Sequence, residues 1–249
     1  MKALSKNTGI HKVQHEIHRR EVSVARKKTL GPHIMAVTFT GESLSDFVSP
    51  SFQDHIKLFV EDGSGETFCR DYTPRYYDRE RRELTLEMGI HEGGKGSDWA
   101  KGAKAGDKAV IAGPKASMII PPVYSWYLLV GDTTSLPAIH RRLEELPPEA
   151  RAIVRIHAPA PGDRRAFEVS AQVDARWFSS PEPLLECVTA EPVPDGEGFV
   201  WCAGEASLMQ SLQRVYQKEK GFPRTSMKIG VYWKKGAADF HGSLVRPIE

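Results

Sequence analysis

Arg70, Tyr72 and Thr73 set a guanidinium, a phenol ring and a hydroxyl within one short stretch. A guanidinium fork holds a phosphate through two parallel hydrogen bonds. Two residues on, along the same face of a strand, a tyrosine ring can lie against a planar ring system. The next hydroxyl can donate to a ring nitrogen or carbonyl. Pro74 follows at once and is expected to stop the strand, because it offers no N–H to a ladder. The group suits the grip of a planar, anionic cofactor. It equally suits a half-buried strand edge, so the rest of the chain has to decide.

Three further clusters have the same chemical flavour. His91 precedes Gly93, Gly94, Gly96 and Ser97, just ahead of Trp99-Ala100. Small residues let backbone amides approach a phosphate, and a helix start adds its positive end; a glycine loop closing a strand is the plainer reading. Gly131-Asp132-Thr133-Thr134-Ser135-Leu136-Pro137 follows a continuous apolar run. It reads as a strand end and a hydroxyl-capped helix start, where ligands of open α/β sheets bind. It is not the glycine fingerprint of dinucleotide-binding turns. Trp201-Cys202-Ala203-Gly204-Glu205 reads as strand, turn and helix start. Glu205 there suits the helix N-terminus better than a hydride path, and Cys202 suits packing better than redox work.

These residues need elements to hold them. Alternation marks strands at Val22 and Val24, Val37 and Phe39, Ile56 to Val60, and Leu84 to Met88, with another at Lys108–Ala112. Gly-, Pro- and Asp-rich turns separate them, one spanning Tyr77 to Glu80. The pattern predicts a six-stranded antiparallel β-barrel. After Pro121-Pro122 the pattern becomes strand–helix alternation. Strands are expected at Trp126–Val130, Arg151–His157, Leu184–Thr189, Phe199–Ala203 and Met227–Trp233. Helices are expected at Leu136–Leu146, Ser170–Phe178 and Ala206–Lys220. That alternation predicts a parallel α/β sheet. The domains are read as 17–121 and 122–249, with residues 1–16 a loose tail despite His11, His15 and His18.

Composition bounds the function. The chain has 249 residues, 40% of them hydrophobic, enough for one large or two small domains. A net charge of +2 is too mild to argue for nucleic acid. No apolar run reaches the ~18 residues of a membrane span, and the first twenty or so residues lack the apolar core of a secretion signal. Cys69, Cys187 and Cys202 are too few and too scattered for a disulfide framework, a zinc site or a cluster. The expectation is a cytoplasmic, reduced protein with no resident metal.

Taken in order, these blocks, with Asp54 to Phe59, Gly113-Pro114 and Tyr232-Trp233-Lys234-Lys235-Gly236, resemble the siderophore-interacting proteins. These are FAD-dependent ferric-siderophore reductases of the ferredoxin-reductase superfamily. The likeness runs from about residue 17 to the end. It implies FAD held between barrel and α/β domain, with Arg70 on the pyrophosphate. Tyr72 and Thr73 would be the catalytic pair, on the isoalloxazine and near its reactive nitrogen, with Asp71 beside them. His91, Gly94, Gly96 and Ser97 would form the phosphate loop. Asp132, Thr134 and Ser135 would lie near the adenosine half or the nicotinamide donor. Thr133 departs from the acidic residue the family usually carries there, and Lys115-Ala116-Ser117 replaces a frequent glycine.

Lys115, Lys234, Lys235 and Arg246 would form a basic mouth for an anionic ferric siderophore. Each alone also suits an ordinary solvated surface. Electrons would come from NAD(P)H or from ferredoxin, and iron would be substrate. Two other functions fit the same residues: a general NAD(P)H:flavin oxidoreductase, and a siderophore- or flavin-binding protein without catalysis.

Overall fold

A computed structural model describes residues 9–237. They cluster as two units, one of residues up to Leu30 with Ile34–Val123, the other of Gly31–His33 with Tyr124 onward. No described helix is long and apolar enough to cross a membrane.

The first unit carries β1 (His11–Gln14), β2 (Arg19–Gly31), β3 (Ile34–Thr40), β4 (Ile56–Glu61) and β5 (Thr67–Tyr72). After these come β6 (Pro74–Asp78), β7 (Glu83–Gly89), α1 (Lys95–Gly102), β8 (Lys108–Ala112) and β9 (Ala116–Ile119). Seven strands form one sheet in the order β5-β4-β8-β2-β3-β7-β6. Alternate residues of β2, β4 and β7 are buried, as a sheet with one face on a core requires. Val22, Val37, Phe39, Ile56, Leu58, Leu84 and Leu86 make that core.

The expected six strands are therefore seven, because Tyr77-Asp78 belongs to a strand rather than a turn. Pro74 begins β6 instead of ending the sheet: it stands at the strand's first position and at an edge, where a missing N–H is tolerated. β5 and β6 lie at opposite ends of the ladder, yet Thr73 alone connects them. The sheet is a seven-stranded ladder rather than the expected six-stranded barrel, and no β5–β6 pairing closes it among the described residues. Part of the expected loose tail is paired, since β1 joins β9 from His11–Ile119 to Gln14–Ala116. His15 is tied in as well, its Nε2 2.8 Å from Ser117 Oγ.

The second unit holds β10 (Trp126–Asp132), α2 (Leu136–Glu145), β11 (Arg151–His157), β12 (Gln172–Phe178) and α3 (Pro181–Ala190). It ends with β13 (Gly198–Glu205), α4 (Ala206–Arg214) and β14 (Met227–Trp233). All five strands are parallel, in the order β12-β11-β10-β13-β14. Every residue of β10 is buried, as in a sheet covered on both faces.

Two elements exchange their expected types. Residues 170–178 hold a strand, whose Val173, Ala175 and Trp177 alternate, and residues 184–189 fall in a helix. Pro181 opens that helix, and Leu184 and Val188 bury one face at the i, i+4 spacing. The strand order reverses between β10 and β13, so the carboxyl ends of these two strands form a topological switch point.

Candidate functional site

In the first unit, α1 is held down by its own apolar face. Trp99 stacks on Phe39 with ring centroids 6.0 Å apart, and Ala100 and Ala103 are buried. The helix start therefore has a fixed position. Its N-cap is Gly94, with no side chain capping the first turn. The N–H groups of that turn have no partner within the helix. A Cβ built on Gly96 would fall 2.6 Å from Tyr72 Oη and 3.6 Å from Arg70 Cγ. Arg70 and Tyr72 thus approach the helix start from one face of β5, and a side chain at Gly96 would press on the Tyr72 hydroxyl. Arg70 Nη1 also donates to Cys69 O at 2.7 Å, and its guanidinium lies 5.4 Å from the Phe68 ring.

The neighbours of this pair divide. Tyr72 is half-buried, and burial pushes its phenol well above the usual tyrosine range, with a smaller opposing pull from Arg70. It stays protonated, a hydroxyl and an aromatic face rather than an acid–base group. Thr73 is buried between the end of β5 and the start of β6. Asp71 lies on the other face of β5, where Lys57 Nζ reaches it at 3.0 Å. Ser97 is buried and shapes the loop: its Oγ donates to Gly89 O at 3.2 Å and accepts from His91 N–H at 3.0 Å. The His91 ring lies against Gly94.

Lys95, which the sequence reading passed over, meets Asp62 at 2.8 Å and Glu66 at 3.3 Å. Its bond to Asp62, with Ser64 and Glu66 donors, holds that carboxyl far below the usual range. A lysine inside the glycine loop was the available signal. A broad depression of about 1500 Å³ lined by Arg19, Phe59, Asp62 and Trp99 excludes Arg70, Tyr72 and Thr73. We place the candidate site with the latter, where the end of β5 lies against the start of α1.

In the second unit, three sequence blocks converge at the switch point on Asp132. Its buried carboxylate takes four donors. Oδ1 accepts from Thr134 N–H at 2.9 Å and Thr134 Oγ1–H at 2.5 Å. Oδ2 accepts from Glu205 N–H and from Trp233 Nε1–H, both at 2.9 Å. A carboxylate has about four lone-pair directions, so Asp132 is fully occupied. Ser135 does not cap α2; its Oγ turns back to Asp132 O at 2.8 Å.

Glu205 does cap α4, with Oε2 accepting from Ser207 N–H at 2.6 Å and Leu208 N–H at 3.2 Å. Burial alone would raise its pKa, but the bonds from Ser207, Lys235 and Leu208 outweigh burial and leave it below the usual range. Cys202 is fully buried and its thiol is pushed up by burial alone.

Lys115 is exposed beside β9, and its carbonyl accepts from His15 N–H at 3.0 Å. Lys234 and Lys235 are exposed at the end of β14, after Trp233. Arg246 lies outside the described residues. Arg155, in β11, is fully buried. It donates to Asp174 at 2.8 Å and to Glu191 through Nε at 3.0 Å, so it is committed to the interior.

Residues 124–236 match the family described as siderophore-interacting protein. Residues 23–68 and 61–118 match the siderophore-interacting FAD-binding domain. An NADPH-dependent ferric-chelate reductase of Escherichia coli strain K12 is 30% identical over 246 residues, covering 89% of this chain and 95% of that one. A ferric vibriobactin reductase of Vibrio cholerae is 25% identical, covering 88% and 91%. The crystal structure of a siderophore utilization protein from T. fusca superposes with a TM-score of 0.87 at 25% identity, over 93% of this chain and 98% of that one.

Proposed function

Since the chain belongs to the siderophore-interacting protein family, we propose that it reduces ferric siderophores with bound FAD as electron carrier. The observation that carries this reading is the start of α1, uncapped by any side chain and brought against Arg70 and Tyr72. Such a start favours an anion. The residues present fit the group, because at Gly96 and Gly94 a side chain would fill the space. The chemistry FAD supplies when bound is uptake of a hydride's electron pair and release of the electrons singly.

Everything else falls to the protein. Arg70 and the first-turn N–H groups of α1 hold the pyrophosphate. Tyr72 and Thr73 orient the ring system between the end of β5 and the start of β6, in what we read as a flavin-binding barrel domain over residues 17–121. Ser97 and His91 shape the loop. Asp71, held by Lys57, contributes to the rim. Asp132, Thr134 and Ser135 shape the donor side of the α/β domain, residues 122–249, through the loop they close. NADPH is the donor this reading favours; ferredoxin is the other. Lys115, Lys234, Lys235 and Arg246 supply positive charge toward an anionic chelate. The free thiols of Cys69, Cys187 and Cys202 fit a reducing cytoplasm.

The visible spectrum tests the reading. Purified protein supplied with FAD should show bound flavin, bleach anaerobically with NADPH, and recover when a ferric siderophore is added. Failure to bind flavin would sink it at its base. Bleaching with NADPH but no faster recovery with any ferric chelate would make the protein a general flavin oxidoreductase.

A further inference from the structure

β12 stands at one edge of the five-stranded sheet, and among the described residues it pairs only with β11. Gln172 N–H donates to Ala150 O at 3.0 Å, and Phe178 O accepts from Ala158 N–H at 2.8 Å. The even-numbered residues therefore turn their backbone groups toward β11. By the alternation of a strand, Val173, Ala175 and Trp177 turn theirs outward. Such a row is a template for another strand. Other edges are guarded. β6 begins at Pro74 and shifts register before Tyr76. β14 carries the exposed Lys228 and shifts register against β13 at Gly204/Glu205. β12 has no proline, no lysine and no register break across its seven residues.

The sequence of β12 is also complementary to itself. Two copies laid antiparallel, with Ala175 on the twofold axis, set Asp174 opposite the partner's Arg176 and Val173 opposite the partner's Trp177. The small Ala175 faces its own twin. The outward backbone groups fall in step: Val173, Ala175 and Trp177 take the hydrogen-bonded positions of the new ladder. Asp174 and Arg176 take the positions between, where facing side chains approach most closely. The faces sort as well. Trp177 stacks on Phe167 with ring centroids 5.9 Å apart, on the face it shares with Val173 and Ala175. Arg176 reaches Glu191 at 3.2 Å on the other face. The side chains of Arg176 and Asp174 remain 56% and 44% exposed, open to a further partner.

We propose that a second copy of this chain docks on β12, antiparallel about Ala175, so that two five-stranded sheets join into one. Opposite charges and a branched–aromatic pair both meet in the one register that the outward backbone groups allow about this axis. β11 separates β12 from the strands of the switch point, so the dimer leaves that point open. The proposal is independent of the reductase reading.

Sedimentation velocity on the full chain supplied with FAD tests it. The wild type should be a dimer that dissociates on dilution. Ala175→Pro removes the central outward N–H, which β11 does not use, and should raise the dimer Kd about tenfold or more. Arg176→Glu sets like charges opposite each other and should raise it about threefold or more. If Ala175→Pro does not fold, Arg176→Glu decides alone. Oxidation of the native protein with glutathione disulfide reads the register, with the wild type and its own thiols as control. Ala175→Cys should link to its twin, since facing Cα atoms at such a position lie about 5.5 Å apart. Val173→Cys should not, because it faces Trp177. A monomer at every concentration overturns the proposal. So does a dimer indifferent to Arg176→Glu and to a folded Ala175→Pro, or one that oxidation links at position 173 or fails to link at position 175.

Discussion

The starts of α1 and α4 differ in who supplies the anion. A helix start carries roughly half a positive charge and several unpaired N–H groups. At α4 the protein answers with its own carboxylate, Glu205, which takes two backbone donors of the first turn. Asp132 completes the arrangement by taking Glu205 N–H. At α1 the equivalent position is Gly94, nothing caps the turn, and Arg70 stands close by. One start is satisfied from within and serves as scaffold. The other has no side-chain cap, and we propose that it takes an anion from outside. A glycine-rich helix start is thus a ligand site only where the chain withholds its own anion.

Five changes would break or sharpen this contrast. The largest effect is expected at Gly131, where a Cβ would lie 2.0 Å from Ser135 Oγ and 2.3 Å from Ala203 O. Backbone cannot move aside there, so Gly131→Ala should lose about 3 kcal/mol. Urea unfolding would report it as a lower midpoint, and an unshifted midpoint would mean that the switch point is not tightly closed.

Next come Arg70→Ala and Gly96→Ala, which attack the open start. Each should raise the Kd for FAD tenfold or more, since a charged pair with phosphate contributes ~1.5–3 kcal/mol. Circular dichroism should stay unchanged. FAD bound as tightly as in the wild type would remove the pyrophosphate from α1.

Glu205→Ala should destabilise the second unit by about 1 kcal/mol, the usual effect of a lost cap. Because the folded pKa of Glu205 is depressed, its stabilisation is fully present above the ordinary glutamate range. It is lost as pH falls through the lowered folded value. The wild type should therefore lose stability more steeply than the variant on acidification below about pH 4. Parallel acid limbs would show that the cap carries no net energy.

The smallest effect is expected at Lys95. Its ammonium is already paired with Asp62 and Glu66 at the surface, and exposed pairs contribute ~0–1 kcal/mol. Lys95→Met should change FAD affinity by less than about threefold. A much larger loss would make Lys95 a direct phosphate ligand.

Much of this was legible beforehand because it is local. Arg70, Tyr72 and Thr73 come from one strand end, and period two alone sets Arg70 and Tyr72 on one face and Asp71 on the other. The apolar run Tyr127–Val130 announces a buried parallel strand from composition alone. Where local signals conflict, reading by pattern failed. Gln172–Phe178 mixes charged residues with an alternation too weak to stand out, and became a strand by pairing with β11 from Gln172–Arg151 to Phe178–His157. Leu184 to Thr189 looked apolar enough for a strand. Pro181 and the Leu184–Val188 spacing made it a helix.

By itself the sequence determined the chemistry on offer: a phosphate fork, an aromatic face, a glycine loop, a parallel sheet, and no clustered thiols. The tertiary structure alone decided which of these groups remain available. Asp132 reads as a ligand at a strand end, yet its carboxylate is consumed by partners 73 and 101 residues away. Arg155 sits in an expected strand with nothing local to mark its partners, yet it is buried between Asp174 and Glu191. The physical reason is the same for both. A charged group's role depends on whether its hydrogen bonds are met inside the protein, and long-range contacts, invisible to any local pattern, settle that.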